Sequence, residues 1–187
     1  PFTKCGVCAE KSNIAVARKV DFLFLCIKPQ MFSIVAEEFD GQAELSPVVV
    51  SIMAGVPISR IKSVFPESPV IRIMPNTPLL LAKGASALCS SEDVSAEKFD
   101  FIFDIFSSMG TAVRVDETLL SAVTALSGSG PAYFFRFARA AINKSVELGI
   151  PYDTALSLLA QTMIGSAHML TDSEKTPDEL IRMVTSP

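Results

Sequence analysis

The chain has a single histidine, four cysteines and no arginine-rich or lysine-rich run in its 187 residues. Cys5 and Cys8 form a C-x-x-C, but zinc would need two further ligands and the chain offers only His168, far away in a helical segment. Cys26 and Cys89 lie in apolar, strand-like runs, where small buried thiols are usual. No metal is therefore expected, and the thiols read as reduced, which fits a cytoplasmic protein. The lack of a basic patch sets nucleic acid aside as a partner. No uninterrupted apolar stretch reaches the roughly 20 residues of a membrane span, and the first residues, Pro-Phe-Thr-Lys-Cys, have no signal-peptide pattern. There is no initiator methionine, and the sequence stops at Pro187 just after an apparent helix, so both ends read as cut.

What is present is an ordinary globular balance: 49% apolar residues, 19% charged and a net charge of −4. That length can bury a real core, as one large domain or two small ones. Through the first part of the chain, short β-branched and apolar runs alternate with helical patterns. Val20–Ile27, Pro47–Met53, Val70–Met74, Ala82–Cys89 and Thr111–Val115 read as strands. Met31–Phe39, Ile58–Phe65 and Ala96–Met109 have helical spacing, the last with Phe99, Ile102, Phe103 and Phe106 on one side. Such alternation implies βαβ units and a largely parallel sheet, whose ligands bind beyond the carboxyl ends of the strands. The turns Cys26–Gln30, Ala54–Val56 and Pro75–Pro78 all follow strands and would line that edge.

From Asp116 the pattern becomes helical throughout. Asp116–Leu126 reads as a helix entry and Pro131–Leu148 as a long helix, ended by Gly149 and Pro151. Tyr152–Leu170 follows, with Ala160, Gly165 and Ala167 permitting close helix contact. Thr176, Pro177 and Glu179 then start a last helix with a capping box. The boundary falls near Val115, giving domains 1–115 and 116–187. Between the two patterns lies Ser127-Gly-Ser-Gly-Pro131. Small residues before a helix-opening proline allow another backbone or a ligand to approach closely. On geometry this is a tightly packed helix start, with an anion site as the alternative.

Thr124–Tyr133, Thr-Ala-Leu-Ser-Gly-Ser-Gly-Pro-Ala-Tyr, resembles the central motif of the pyrroline-5-carboxylate reductase family. Asp21–Gln30, Arg72–Pro78 and Met183–Pro187 are similar to that family in the family's order, so the resemblance covers nearly the whole chain. It implies a Rossmann-like parallel-sheet domain followed by a helical substrate-binding and dimerisation domain. A Rossmann-like domain opens with Gly-x-Gly-x-x-Gly after its first strand. That motif is absent, so the domain reads as lacking its first βαβ unit, and little turnover is expected of the 187 residues alone.

The reaction implied by the resemblance is hydride transfer from NADPH or NADH to the C=N of 1-pyrroline-5-carboxylate, giving L-proline. The turn carrying Cys26, Lys28 and Pro29 would pass along the cofactor, as would Ala54 and Gly55. Asn13 matches a residue beside the adenosine ribose, and Asn76 faces the nicotinamide side. Thr124 matches a threonine near the substrate nitrogen, Glu174 an acidic residue near the active site, and Ser186 the first residue of a loop for the substrate carboxylate. On their own residue types, Lys28 reads as a solvated turn lysine, Asn13 as a capping amide, Asn76 as a turn-holding amide and Glu174 as an exposed carboxylate. The family site forms between subunits, so a homodimer or higher homo-oligomer through the helical domain is implied. A related two-domain dehydrogenase of hydroxyacid or ketopantoate type is the alternative, but those lean on a helix lysine. Here Lys144, the only lysine in Pro131–Leu148, lies near the helix end. A non-catalytic dimerisation module is a third reading.

Overall fold

Five strands form one sheet in the order β1 (Phe22–Leu25), β2 (Val48–Ser51), β3 (Val70–Met74), β4 (Gly84–Ser90) and β5 (Gly110–Arg114). The computed structural model describes residues 6–42 and 44–185; Cys5 of the C-x-x-C lies outside them, and Cys8 is exposed. All three valines of β2 are fully buried, because helices cover both faces of the sheet. Alternation sorts them. Val49 joins Leu23, Leu25, Phe32, Ile61 and Phe65 in one core layer, under α1 (Asn13–Ala17), α2 (Phe32–Glu38) and α3 (Ile58–Lys62). Val48 and Val50 face the other layer, with Ile71, Ile73 and Leu88 against Phe99, Ile102 and Phe106 of α4 (Ala96–Ser108). Burying each such side chain stabilises the fold by about 1.5–3 kcal/mol.

The largely parallel sheet expected is found, with one antiparallel pairing. β1, β2 and β3 are parallel neighbours, and so are β4 and β5, but β3 and β4 are antiparallel. A parallel return needs a crossover of about a dozen residues or more. The link from Met74 to Gly84 holds only a 3-10 turn, Thr77–Leu81, closed by Ala82 in the left-handed region at φ 53°. The chain therefore doubles back. Gly110, at φ 140°, starts β5 directly against the backbone of Gly84. A short helix at Asn13–Ala17, capped by Ser12, was not apparent in the apolar pattern.

The helix entry read at Asp116–Leu126 is built of three pieces: a 3-10 turn at Glu117–Leu119, α5 (Leu120–Val123) and a π-helical turn at Thr124–Gly128. The hydroxyls of Thr124 and Ser127 each donate to the carbonyl four residues back, which bends helices. Ser129 N–H then reaches the Thr124 carbonyl, five residues back, at 2.8 Å.

The remaining helices are α6 (Gly130–Glu147), α7 (Tyr152–Asp172) and α8 (Pro177–Val184). Gly149, at φ 95°, ends α6, and the capping box of Thr176 and Glu179 opens α8. Chain contacts divide the protein into a compact unit ending at Pro131 and a second from Ala132. In the second unit only Ile142 and Ala155 are buried among the described residues. Among the described residues nothing lies within 4 Å of the Cβ position of Gly165, so the close helix contact it permits is not made there.

Candidate active site

Because β1, β2 and β3 are parallel neighbours, the turns after them share one edge of the sheet. After β1, Cys26 is exposed rather than buried, because it stands one residue past the strand; desolvation by the surrounding turn still raises its thiol pKa. Lys28 precedes a 3-10 turn that opens at Pro29, and its ammonium has no ion-pair partner among the described residues. After β2, buried Ser51 accepts a bond from Met53 N–H at 3.2 Å, starting a turn through half-buried Ala54 to exposed Gly55. Gly55 has φ 74°, and nothing lies within 4 Å of where a Cβ would stand. Its backbone is open to a ligand's close approach.

After β3 stands Asn76. It occupies the N-cap position of the Thr77–Leu81 turn without capping it. Its amide oxygen instead accepts from Ala85 N–H at 2.9 Å, and its amide nitrogen donates to the Ser127 carbonyl at 3.1 Å. Asn76 thus joins the end of β3 to the start of β4 and to the π-turn that carries Thr124. Met74 makes a second link, its terminal methyl only 2.5 Å from the position a Cβ on Gly128 would take. Gly128 is therefore the glycine of the Ser-Gly-Ser-Gly stretch that Met74 packs against, through the movable end of its side chain, whereas Gly130 has nothing within 4 Å. Thr124 is half-buried and donates its hydroxyl proton to the Leu120 carbonyl at 2.7 Å. Its lone pairs remain able to accept.

One cluster escaped the sequence reading. Arg72, at mid-β3 and 8% exposed, pairs with Glu117 at 2.5 Å. The same Glu117 oxygen accepts from Ile58 N–H at 2.7 Å. It thereby satisfies a free amide at the start of α3, whose cap residue is Pro57. A charged residue inside an apolar strand was the available signal, but its partner lies 45 residues away. Beside Arg72 in register is Cys89, whose thiol burial pushes up to about 11.

Other expected residues are placed separately. Asn13, exposed at the start of α1, donates to Glu38 at 2.9 Å, at the opposite end of α2 from Lys28 and Pro29. Glu174 is exposed between α7 and α8, in the second unit. Ser186 lies outside the described residues. His168 pairs with Asp172 on the exposed face of α7, and Lys144 with Glu147 at 2.9 Å near the end of α6.

Comparison with known proteins decides among the readings. A pyrroline-5-carboxylate reductase of Methanosarcina acetivorans is 38% identical over 185 residues, covering 98% of this chain and 68% of the relative. The chain belongs to the pyrroline-5-carboxylate reductase family. The family model described as pyrroline-5-carboxylate reductase dimerisation matches residues 117–187. Among solved structures, the 1-pyrroline-5-carboxylate reductase of Streptococcus pyogenes superposes with a TM-score of 0.90 at 30% identity, over 100% of this chain and 71% of that one. The Plasmodium falciparum pyrroline carboxylate reductase with NADP bound superposes at 0.89 and 29% identity, over 95% of this chain and 68% of that one. These matches support the Rossmann-like sheet followed by a helical dimerisation domain. The family model begins at Glu117, close to the boundary read at Val115. The contact division falls later, at Pro131, since Glu117, Leu120 and Asn76's partner Ser127 tie residues 117–128 to the sheet.

Proposed function

We propose that this reductase transfers a hydride from NADPH or NADH to the C=N carbon of 1-pyrroline-5-carboxylate, giving L-proline, the last step of proline synthesis. The observation that carries the reading is the juxtaposition of the π-turn bearing Thr124 with the strand-end edge, through Asn76 and Met74. The cofactor supplies the hydride when bound. The open position above Gly55 and the turns after β1 and β2 suit a nucleotide running along that edge. Cys26, Lys28, Pro29, Ala54 and Gly55 are the residues we assign to it, with Asn13 toward the ribose.

The protein's share of the chemistry is orientation. A cyclic imine can arrive protonated, so no strong enzymatic acid is required. With its own proton directed at the Leu120 carbonyl, the Thr124 hydroxyl accepts a hydrogen bond from the ring N–H and holds the ring nitrogen in place. Glu174 and Ser186 are assigned to the substrate side of the site. The helical domain is assigned to self-association as a homodimer or larger homo-oligomer, which agrees with its uncovered apolar side chains. The position of Lys144, paired to Glu147 near a helix end, argues against the hydroxyacid-dehydrogenase alternative. No helix among the described residues is long and apolar enough to cross a membrane, and we assign the protein to the cytoplasm.

The test is to mix the intact gene product with NADPH and pyrroline-5-carboxylate, following nicotinamide oxidation and proline formation. Robust turnover, lowered about 100-fold in kcat by Thr124→Ala with NADPH affinity kept, is expected. NADPH binding without turnover would remove this substrate and favour another dehydrogenase reaction.

A further inference from the structure

We infer that Asn76 is a positioning residue: it acts through the π-turn to set the place of Thr124, and it is not a cofactor contact. The inference rests on Thr124 orienting the substrate, as proposed above.

Three features carry it. Asn76 stands at an N-cap position, where an asparagine side chain ordinarily accepts from a backbone N–H of the helix it opens. It does not do so here. Both ends of its amide are engaged elsewhere, with the oxygen on Ala85 N–H and the nitrogen on the Ser127 carbonyl. A side chain committed at both ends to the backbone has its orientation fixed by those bonds, with one lone pair and one N–H, half its capacity, left over.

The second bond also lands in a particular place. Ser127 is the fourth residue of the five-residue π-turn Thr124–Gly128. A π-turn is a rare insertion, widened by one residue and frequent at functional sites. Asn76 holds its carbonyl side, and Met74 fills the space that Gly128 leaves by lacking a Cβ. Met74 and Asn76 are two residues apart at the end of β3, so one strand end grips the turn at two adjacent points. A shift of the turn by about 1 Å would move Thr124 out of productive geometry, and misplacement of that size costs about 100-fold in rate.

Asn76→Asp keeps the acceptor for Ala85 N–H but turns a carboxylate oxygen toward the Ser127 carbonyl. We expect kcat to fall 10- to 100-fold with the NADPH dissociation constant within twofold of wild type. Amide exchange across residues 125–129 should quicken. In a Thr124→Ala background the same substitution should lower kcat less than threefold, because the group being positioned is already gone. Met74→Ala, which leaves Asn76 intact, should show the same pattern more weakly and covers the case of an Asn76→Asp protein that does not fold. A rise of more than tenfold in the NADPH dissociation constant on Asn76→Asp, with kcat kept, would make Asn76 a cofactor contact and overturn the inference. So would full multiplicativity of the two substitutions, while leaving Thr124's role standing. An unchanged kcat in Thr124→Ala alone would instead remove the site reading and this inference with it.

Discussion

At Gly110 a single hydrogen decides whether β5 can begin where it does. A Cβ there would collide with the backbone of Gly84, and φ 140° is a conformation that other residues rarely adopt. Gly110→Ala is expected to lower unfolding free energy by about 3 kcal/mol, read from urea melts, because neither backbone can move aside. Gly128 differs in kind. The atom it accommodates is the mobile end of Met74, so Gly128→Ala should cost about 1 kcal/mol or less by repacking. Cys89 contributes through protonation. Its buried thiol stays protonated up to about 11, whereas the unfolded thiol ionises near 9.0. Between those values the unfolded state has released a proton that the folded state still holds, so stability falls as pH rises through that window. Thermal midpoints measured from pH 8 to 11 should show this decline in the wild type and a shallower one in Cys89→Ala. Thr124, Gly128 and the Lys28-Pro29 turn were readable as sequence motifs. What each does is decided by partners such as Leu120, Met74 and the strand-end edge, which are set by folding.

At the scale of the element, Glu117 ties three together. It neutralises Arg72 on β3, satisfies Ile58 N–H at the start of α3, and stands in the turn that leads to the π-turn. Glu117→Ala leaves a buried guanidinium with no counter-charge, and about 3 kcal/mol of stability should be lost in chemical denaturation. Glu117→Gln keeps an acceptor and should cost about half as much. The last helix offers a pH test. Bonds from the backbone N–H and hydroxyl of Thr176 hold the Glu179 carboxyl below its usual 4.5. A depressed carboxylate stabilises above its unfolded value and loses that effect as pH drops through its folded value. Amide-exchange protection at the start of α8 should therefore decline below pH 4.5 in the wild type, and already be low at neutral pH in Thr176→Ala.

The whole molecule has two differently finished parts. The sheet unit encloses its core, with Val48, Val49, Val50, Ile61, Val70, Ile71, Leu88 and Ile102 at 0% exposure. The helical unit leaves Tyr133, Phe134, Phe135 and Phe137 between 56% and 67% exposed along α6. An open apolar groove of about 670 Å³ runs among Phe134, Phe137, Met163 and Leu170. Apolar surface on this scale requires a partner, and the dimerisation family model over residues 117–187 names the kind. Phe134→Ser combined with Phe137→Ser should shift the protein to monomer in sedimentation velocity and lower turnover at least tenfold, while near-ultraviolet signals from the sheet unit persist.

The sequence alone settled the alternation of strands and helices, the change to an all-helical second part and the family, because hydrophobic period, capping residues and contiguous motifs are local properties. The strand Val70–Met74 and the capping box at Thr176 were legible to the residue. Tertiary structure alone decided the reversal of β4, the splitting of Asp116–Leu126 into three pieces, the Arg72–Glu117 pair and the two-ended use of Asn76. Each depends on groups distant along the chain meeting in space: a connection too short for a crossover, a charge that finds its partner 45 residues on, and an amide whose two hydrogen-bonding partners lie 9 and 51 residues away. Periodicity carries no record of such meetings, since they are chosen by the packing of the whole core.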